Sequence, residues 1–78
     1  MRKKEDRLLV TFFTTAEAMA MEQACRREQI PGRLIPLPRQ ISAGCGFVWS
    51  APPDCEDRLR AVLGKEKIAY ESILRMMV

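Results

Sequence analysis

The sequence predicts an α+β fold: a four-stranded antiparallel sheet with two helices on one face. Short runs rich in β-branched and aromatic residues alternate with longer segments of helical periodicity. Pro31-Gly32, Pro38, Gly44 and Pro52-Pro53 punctuate the boundaries. A length of 78 residues suits one small domain with a modest core.

Leu8 to Phe13 (LLVTFF) is too short for a typical helix and rich in strand formers, so it is the first strand. Thr14 with Glu17 makes a capping-box pattern. Ala18, Met21 and Cys25 then recur at helical spacing, which predicts a helix from about Thr15 to Gln29 with those residues buried. Pro31-Gly32 ends that helix and turns the chain. Arg33 to Leu37 is the second strand, and Pro36, which lacks an N–H, places it at a sheet edge. A loop spans Pro38 to Cys45. Gly46 to Ala51 is the third strand, with Phe47 and Trp49 on one face and Val48 on the other.

Pro52-Pro53-Asp54 initiates the second helix. Leu59, Val62 and Leu63 form its buried face and Gly64 is placed to terminate it. Ile68 to Met76 is the fourth strand, although its Ala, Glu, Leu and Met also favour helix. The order β-α-β-β-α-β is the split βαβ, ferredoxin-like pattern. Residues 1–7 read as a charged N-terminal tail and residues 8–78 as a single domain.

Composition narrows the function. Hydrophobic residues make up 47% and charged residues 29%, which is the balance of a globular chain. No apolar run approaches the roughly 20 residues needed to cross a bilayer. The N-terminus lacks the apolar stretch of a secretion signal. A cytoplasmic protein with no membrane partner is expected. Of the net charge of +3, +2 resides in residues 1–7, so no basic stripe crosses a folded face and no nucleic-acid partner is expected. Phe12, Phe13, Phe47 and Trp49 all fall in strand-like runs and read as core or sheet-face residues.

Cysteine is the only strong nucleophile or soft ligand on offer, because the chain has no histidine. Cys25, Cys45 and Cys55 lack the paired spacing of zinc sites, so no metal and no cofactor are expected. Cys25 lies in the helical pattern and reads as packing. Asp54, Glu56 and Asp57 read as helix-start acids, not as a metal cluster. Cys45 differs in its setting, Ser42-Ala43-Gly44-Cys45-Gly46, after Pro36-Leu37-Pro38-Arg39. Flanking glycines remove neighbouring side chains and permit close backbone approach, which suggests a thiol on an exposed loop tip. A tight hairpin is the alternative reading of Gly44 and Gly46.

The topology places Cys45 at the same end of the sheet as Thr14, Thr15 and the N-terminus of the first helix, with Lys65 and Lys67 on a neighbouring turn. A helix N-terminus and a nearby cation such as Arg39 favour thiolate, so a depressed thiol pKa is expected. Pro36 and Pro38 stiffen the approach to the loop. Ser42 braces the turn or bonds the sulfur.

From Leu8 to Met76 the chain resembles the small selenium/sulfur carrier-like domains. The resemblance lies in Thr11-Phe12-Phe13-Thr14-Thr15, the helix with Ala18 and Glu22, and Ile30-Pro31 leading to Arg33-Leu34-Ile35-Pro36. Its most specific part is Pro36-Leu37-Pro38-Arg39, then Ile41-Ser42, then Gly44-Cys45-Gly46. The Cys-Pro-x-Pro signature of a different group of sulfur-relay carriers is absent.

The resemblance implies that Cys45 accepts sulfur or selenium as a persulfide or selenylsulfide, with a donor enzyme and an acceptor protein as partners. A carrier is then favoured over a stand-alone enzyme. One alternative is a non-catalytic interaction module, possible as a homodimer, using a sheet face that Leu9 and Phe13 make apolar. A thiol-redox protein pairing Cys45 with Cys55 is a third reading. It is disfavoured, because a six-residue third strand spans about 20 Å between them.

Overall fold

A computed structural model, describing residues 4–41 and 44–78, has the order β1 (Asp6–Thr11), α1 (Thr15–Glu28), β2 (Arg33–Pro36), β3 (Phe47–Ala51), α2 (Glu56–Lys65) and β4 (Ser72–Met77). The strands form one antiparallel sheet in the order β2-β3-β1-β4. This is the ferredoxin-like α+β fold that the pattern predicts.

Strand alternation divides the side chains between two layers. Leu8, Val10 and Phe12 point to the helices, where they meet Trp49 and Ala51 of β3, Met21 and Cys25 of α1, and Leu59, Val62 and Leu63 of α2. The indole Nε1 of Trp49 is buried without a partner among the described residues. Gly32 packs against that ring: its φ is +145°, and a Cβ there would lie 2.7 Å from Nε1. Glycine alone suits both the angle and the space.

β1 begins at Asp6, two residues into the segment read as a tail. Asp6 and Arg7 pair with Met77 and Met76 of β4. Their side chains are engaged too: Asp6 pairs with Arg75, and Arg7 Nε donates to Ser50 Oγ at 3.0 Å. Charge in the sequence hid strand residues that cross-strand partners hold in place.

The capping box at α1 forms as predicted. Glu17 N–H donates to Thr14 Oγ1 at 3.4 Å, and Thr14 N–H donates to Glu17 Oε1 at 3.2 Å. The end of α1 differs from expectation. Gln29, not Pro31-Gly32, stops the helix by adopting the left-handed conformation at φ 58°, and Ile30 N–H donates back to Cys25 O at 2.9 Å. α2 follows a 3-10 turn over Pro53–Cys55. It runs through Gly64 and ends with left-handed Lys67 at φ 54°, where Ile68 N–H donates to Leu63 O at 3.0 Å. The backward bonds to the last turn choose the left-handed residue in both helices. β4 starts at Ser72, so Ile68 to Glu71 connect the helix to the sheet.

On β2, Leu37 N–H donates to Gly46 O at 3.0 Å. Arg33 and Ile35 share that parity in the ladder, so the missing N–H of Pro36 faces the open edge and costs no sheet bond.

The helix-free face is not an exposed apolar surface. Leu9 and Val48 lie on it and are both 0% exposed. After β2, Leu37, Pro38 and Ile41 are half-buried, and Pro38 walls a cleft on this side together with Arg7, Ile35 and Ser50. The middle of the face, at Leu9 and Val48, is therefore buried, while Ile35, Leu74 and Met76 around it stay partly exposed.

Candidate functional site

Cys45 sits where β1 hands over to α1. Its N–H donates to Phe12 O at 3.1 Å, just past the end of β1. Its Sγ donates to Thr15 Oγ1, the first residue of α1, at 3.8 Å. Thr14, Thr15 and Cys45 therefore meet at one end of the molecule. Within this group Thr14 caps the helix and Thr15 receives the thiol. The positive end of the α1 dipole lies at this sulfur.

The thiol is not on an exposed loop tip. Cys45 is 2% exposed and belongs to the hydrophobic core. Two backbone bonds hold its segment inward: the Cys45 bond to Phe12, and Gly44 N–H donating to Glu71 Oε1 at 3.4 Å. Glu71 is anchored by its own N–H on Thr11 O at 2.7 Å. The flanking glycines play unequal parts. A Cβ on Gly44 would lie 2.6 Å from Phe13 O, whereas one on Gly46 would meet nothing within 4 Å. Close approach calls for glycine at 44, and nothing steric requires it at 46.

Exposed aromatic rings flank the closed segment. Phe13, whose carbonyl Gly44 approaches, is 53% exposed, and Phe47, next to Gly46, is 43% exposed. Phe12 and Trp49 are core residues and Phe47 is a sheet residue of β3, within the core-or-sheet-face reading; Phe13 lies beyond the end of β1 and is exposed.

The cations distribute differently from expectation. Lys65 Nζ donates to Glu28 Oε2 at 3.0 Å, and this bond holds the Glu28 carboxyl below its usual range. Glu28 ends α1, thirteen residues and about 20 Å of helix from Thr15. The amphipathic turn of α2 directs Lys65 to the far end of α1, away from Cys45. Arg39 is exposed and makes no bond to Cys45 among the described residues. Pro38 opens a turn closed by Ile41 N–H on Pro38 O at 3.0 Å. Ser42 lies outside the described residues.

Glu71 is the site residue that sequence reasoning missed. It is 27 positions from Gly44, and only the pairing of β4 with β1 brings it there. The other thiols stand apart. Cys55 follows β3 at the end opposite Cys45 and is buried, as is Cys25. Burial, with the Cys55 thiol nearby, pushes the Cys25 thiol up to about 11. Among the described residues no cluster of side chains could hold a metal ion. No described helix is long and apolar enough to cross a membrane.

No curated protein and no solved structure matches the chain significantly. A family model does match, over residues 7–75, and that span contains the whole sheet core, both helices and Cys45. On that match the chain belongs to the family described as "Putative Se/S carrier protein-like".

Proposed function

We propose that the chain is a chalcogen carrier and that Cys45 is the atom-bearing residue. The observation that carries this reading is the position of Cys45: one thiol seated against Thr15 at the N-terminal end of α1, on a segment held shut by few bonds. Family membership supplies the class of cargo and implies donor and acceptor proteins in general.

The step needs no outside oxidant. The Cys45 thiolate attacks the terminal sulfur of a donor persulfide. A new S–S bond forms at Cys45, the donor's S–S bond breaks, and the donor cysteine leaves as thiolate with the bonding pair. Transfer onward repeats the exchange: an acceptor nucleophile takes the terminal atom and the Cys45 thiolate departs. Selenium follows the same route through a selenylsulfide. The protein supplies position and shelter. Burial keeps a loaded persulfide from solvent reductants, and release of the Gly44 and Cys45 bonds exposes it to a partner. Phe13 and Phe47 give that partner apolar contact beside the sulfur. Arg39, exposed on the same loop, is the cation placed to meet an acidic partner surface. Pro36 and Pro38 limit the loop's freedom.

The test is to incubate the reduced protein with a cysteine desulfurase or a selenocysteine lyase and its substrate, then measure intact mass and map peptides. One added sulfur or selenium atom on Cys45, lost in Cys45→Ser, is the expected result. An adduct confined to Cys25 or Cys55, or none after the protein is shown to react with iodoacetamide at Cys45, overturns the reading.

A further inference from the structure

A cleft of about 870 Å³ opens on the helix-free side of β2, and Cys45 is not among its lining residues. Arg7, Arg33, Ile35, Pro36, Pro38 and Ser50 line much of it. Its two guanidiniums differ. Arg7 is engaged: it donates to Ser50 Oγ at 3.0 Å and Ser50 O at 3.3 Å, and Glu5 on the same wall lies 3.7 Å away. Arg33 is exposed and makes no ion pair among the described residues. It therefore presents an uncompensated cation at the first residue of an edge strand.

That edge also offers backbone. Arg33 and Ile35 bond to β3, so the N–H and C=O of Leu34 turn outward without a sheet partner. Pro36 then ends the usable edge, because it has no N–H to give. A short strand length is thus left open beside a free guanidinium. Carboxylate matches the planar donor fork of Arg in charge and geometry. An extended backbone matches Leu34.

We propose that this cleft docks an extended acidic segment of a partner protein, with its carboxylates on Arg33 and its backbone along Leu34. The partner's identity, a protein that loads or unloads Cys45, rests on the carrier reading above. The placement suits such a partner. Pro38, a wall of the cleft, begins the loop that leads in sequence to Gly44 and Cys45, so one docked chain touches the loop that carries the thiol.

The test is an NMR titration of the ¹⁵N-labelled full chain with acetyl-Val-Glu-Val-Glu-Val-amide. Expected are saturable amide shifts concentrated at Arg33 to Ile35 and Ser50, weakened by added salt. Arg33→Glu weakens binding roughly tenfold, and Arg33→Gln weakens it less. Each variant's spectrum reports whether it is folded. Equal binding of the Val-Gln-Val-Gln-Val analogue overturns the proposal. So do shifts centred elsewhere, no saturation at millimolar peptide, or indifference to both Arg33 variants. Glutarate producing the same shifts at equal carboxylate concentration also overturns it, in favour of a small-acid site. The titration contains no chalcogen and no donor, so its failure and a failure of Cys45 to load are read separately.

Discussion

Gly44 and Gly46 look equivalent in the chain, and their surroundings separate them. Gly44→Ala drives a methyl group to 2.6 Å from Phe13 O, while Gly46→Ala enters open space. Gly44→Ala is expected to lower stability by about 1–3 kcal/mol, and Gly46→Ala to stay within roughly 0.5 kcal/mol of wild type. Urea denaturation of both variants checks this, and equal losses would refute the steric account. Glu71 supports a second expectation. Its carboxylate closes one of the two bonds over the thiol. Removing it in Glu71→Ala forfeits about 1 kcal/mol of closure, which corresponds to about fivefold more opening. The native-state alkylation rate of Cys45 should rise by about that factor while Cys25 stays slow. An unchanged Cys45 rate would show that Glu71 does not hold the segment.

The helices carry their signals at the ends. α1 begins on a reciprocal cap in which Glu17 Oε1 also accepts from Phe13 N–H at 3.0 Å. Thr14→Ala should therefore cost about 1 kcal/mol and loosen the turn against which Cys45 rests. Thermal melting and Cys45 alkylation read the two effects together. The other end of α1 stores an unfavourable torsion, since Gln29 is left-handed without being glycine. Gln29→Gly should stabilise the fold by about 1 kcal/mol; a destabilised variant would mean that the Gln29 side chain makes a compensating contact. α2 secures this same end through Lys65 on Glu28, Arg27 on Glu66, and Arg58 donating to Glu28 O at 3.2 Å. These exposed pairs orient the helices more than they stabilise them.

At the scale of the molecule, the sheet keeps its thiols in separate places. Cys45 lies by the N-terminal end of α1, while Cys25 and Cys55 are buried toward the other end. The raised value for Cys25 ties its burial to pH. The fold favours the neutral thiol, so this contribution is fully present below about pH 9 and is lost as pH rises toward about 11. The loss amounts to at most about 3 kcal/mol. Cys25→Ala should start less stable because of its cavity yet show a shallower decline between those pH values. Denaturant midpoints at several pH values measure the difference in slope. Parallel slopes would remove Cys25 from the alkaline transition.

Local chemistry made much of this protein legible from its residues. Period-two alternation in Leu8 to Phe13, the Thr14–Glu17 cap and the prolines around β2 act over a few positions, so they disclosed the element order and the ferredoxin-like sheet. That topology in turn put Cys45 beside Thr15. Contacts between distant residues settled the rest. Thr15 and Cys45 are 30 positions apart, and Gly44 and Glu71 are 27 apart. No local pattern could disclose that the thiol is buried or that Glu71 holds its segment. The same holds for the burial of Leu9 and Val48 on the helix-free face, and for Lys65 turning to Glu28. Burial and pairing depend on what the folded chain brings alongside, and a loop's composition records only what its own backbone permits.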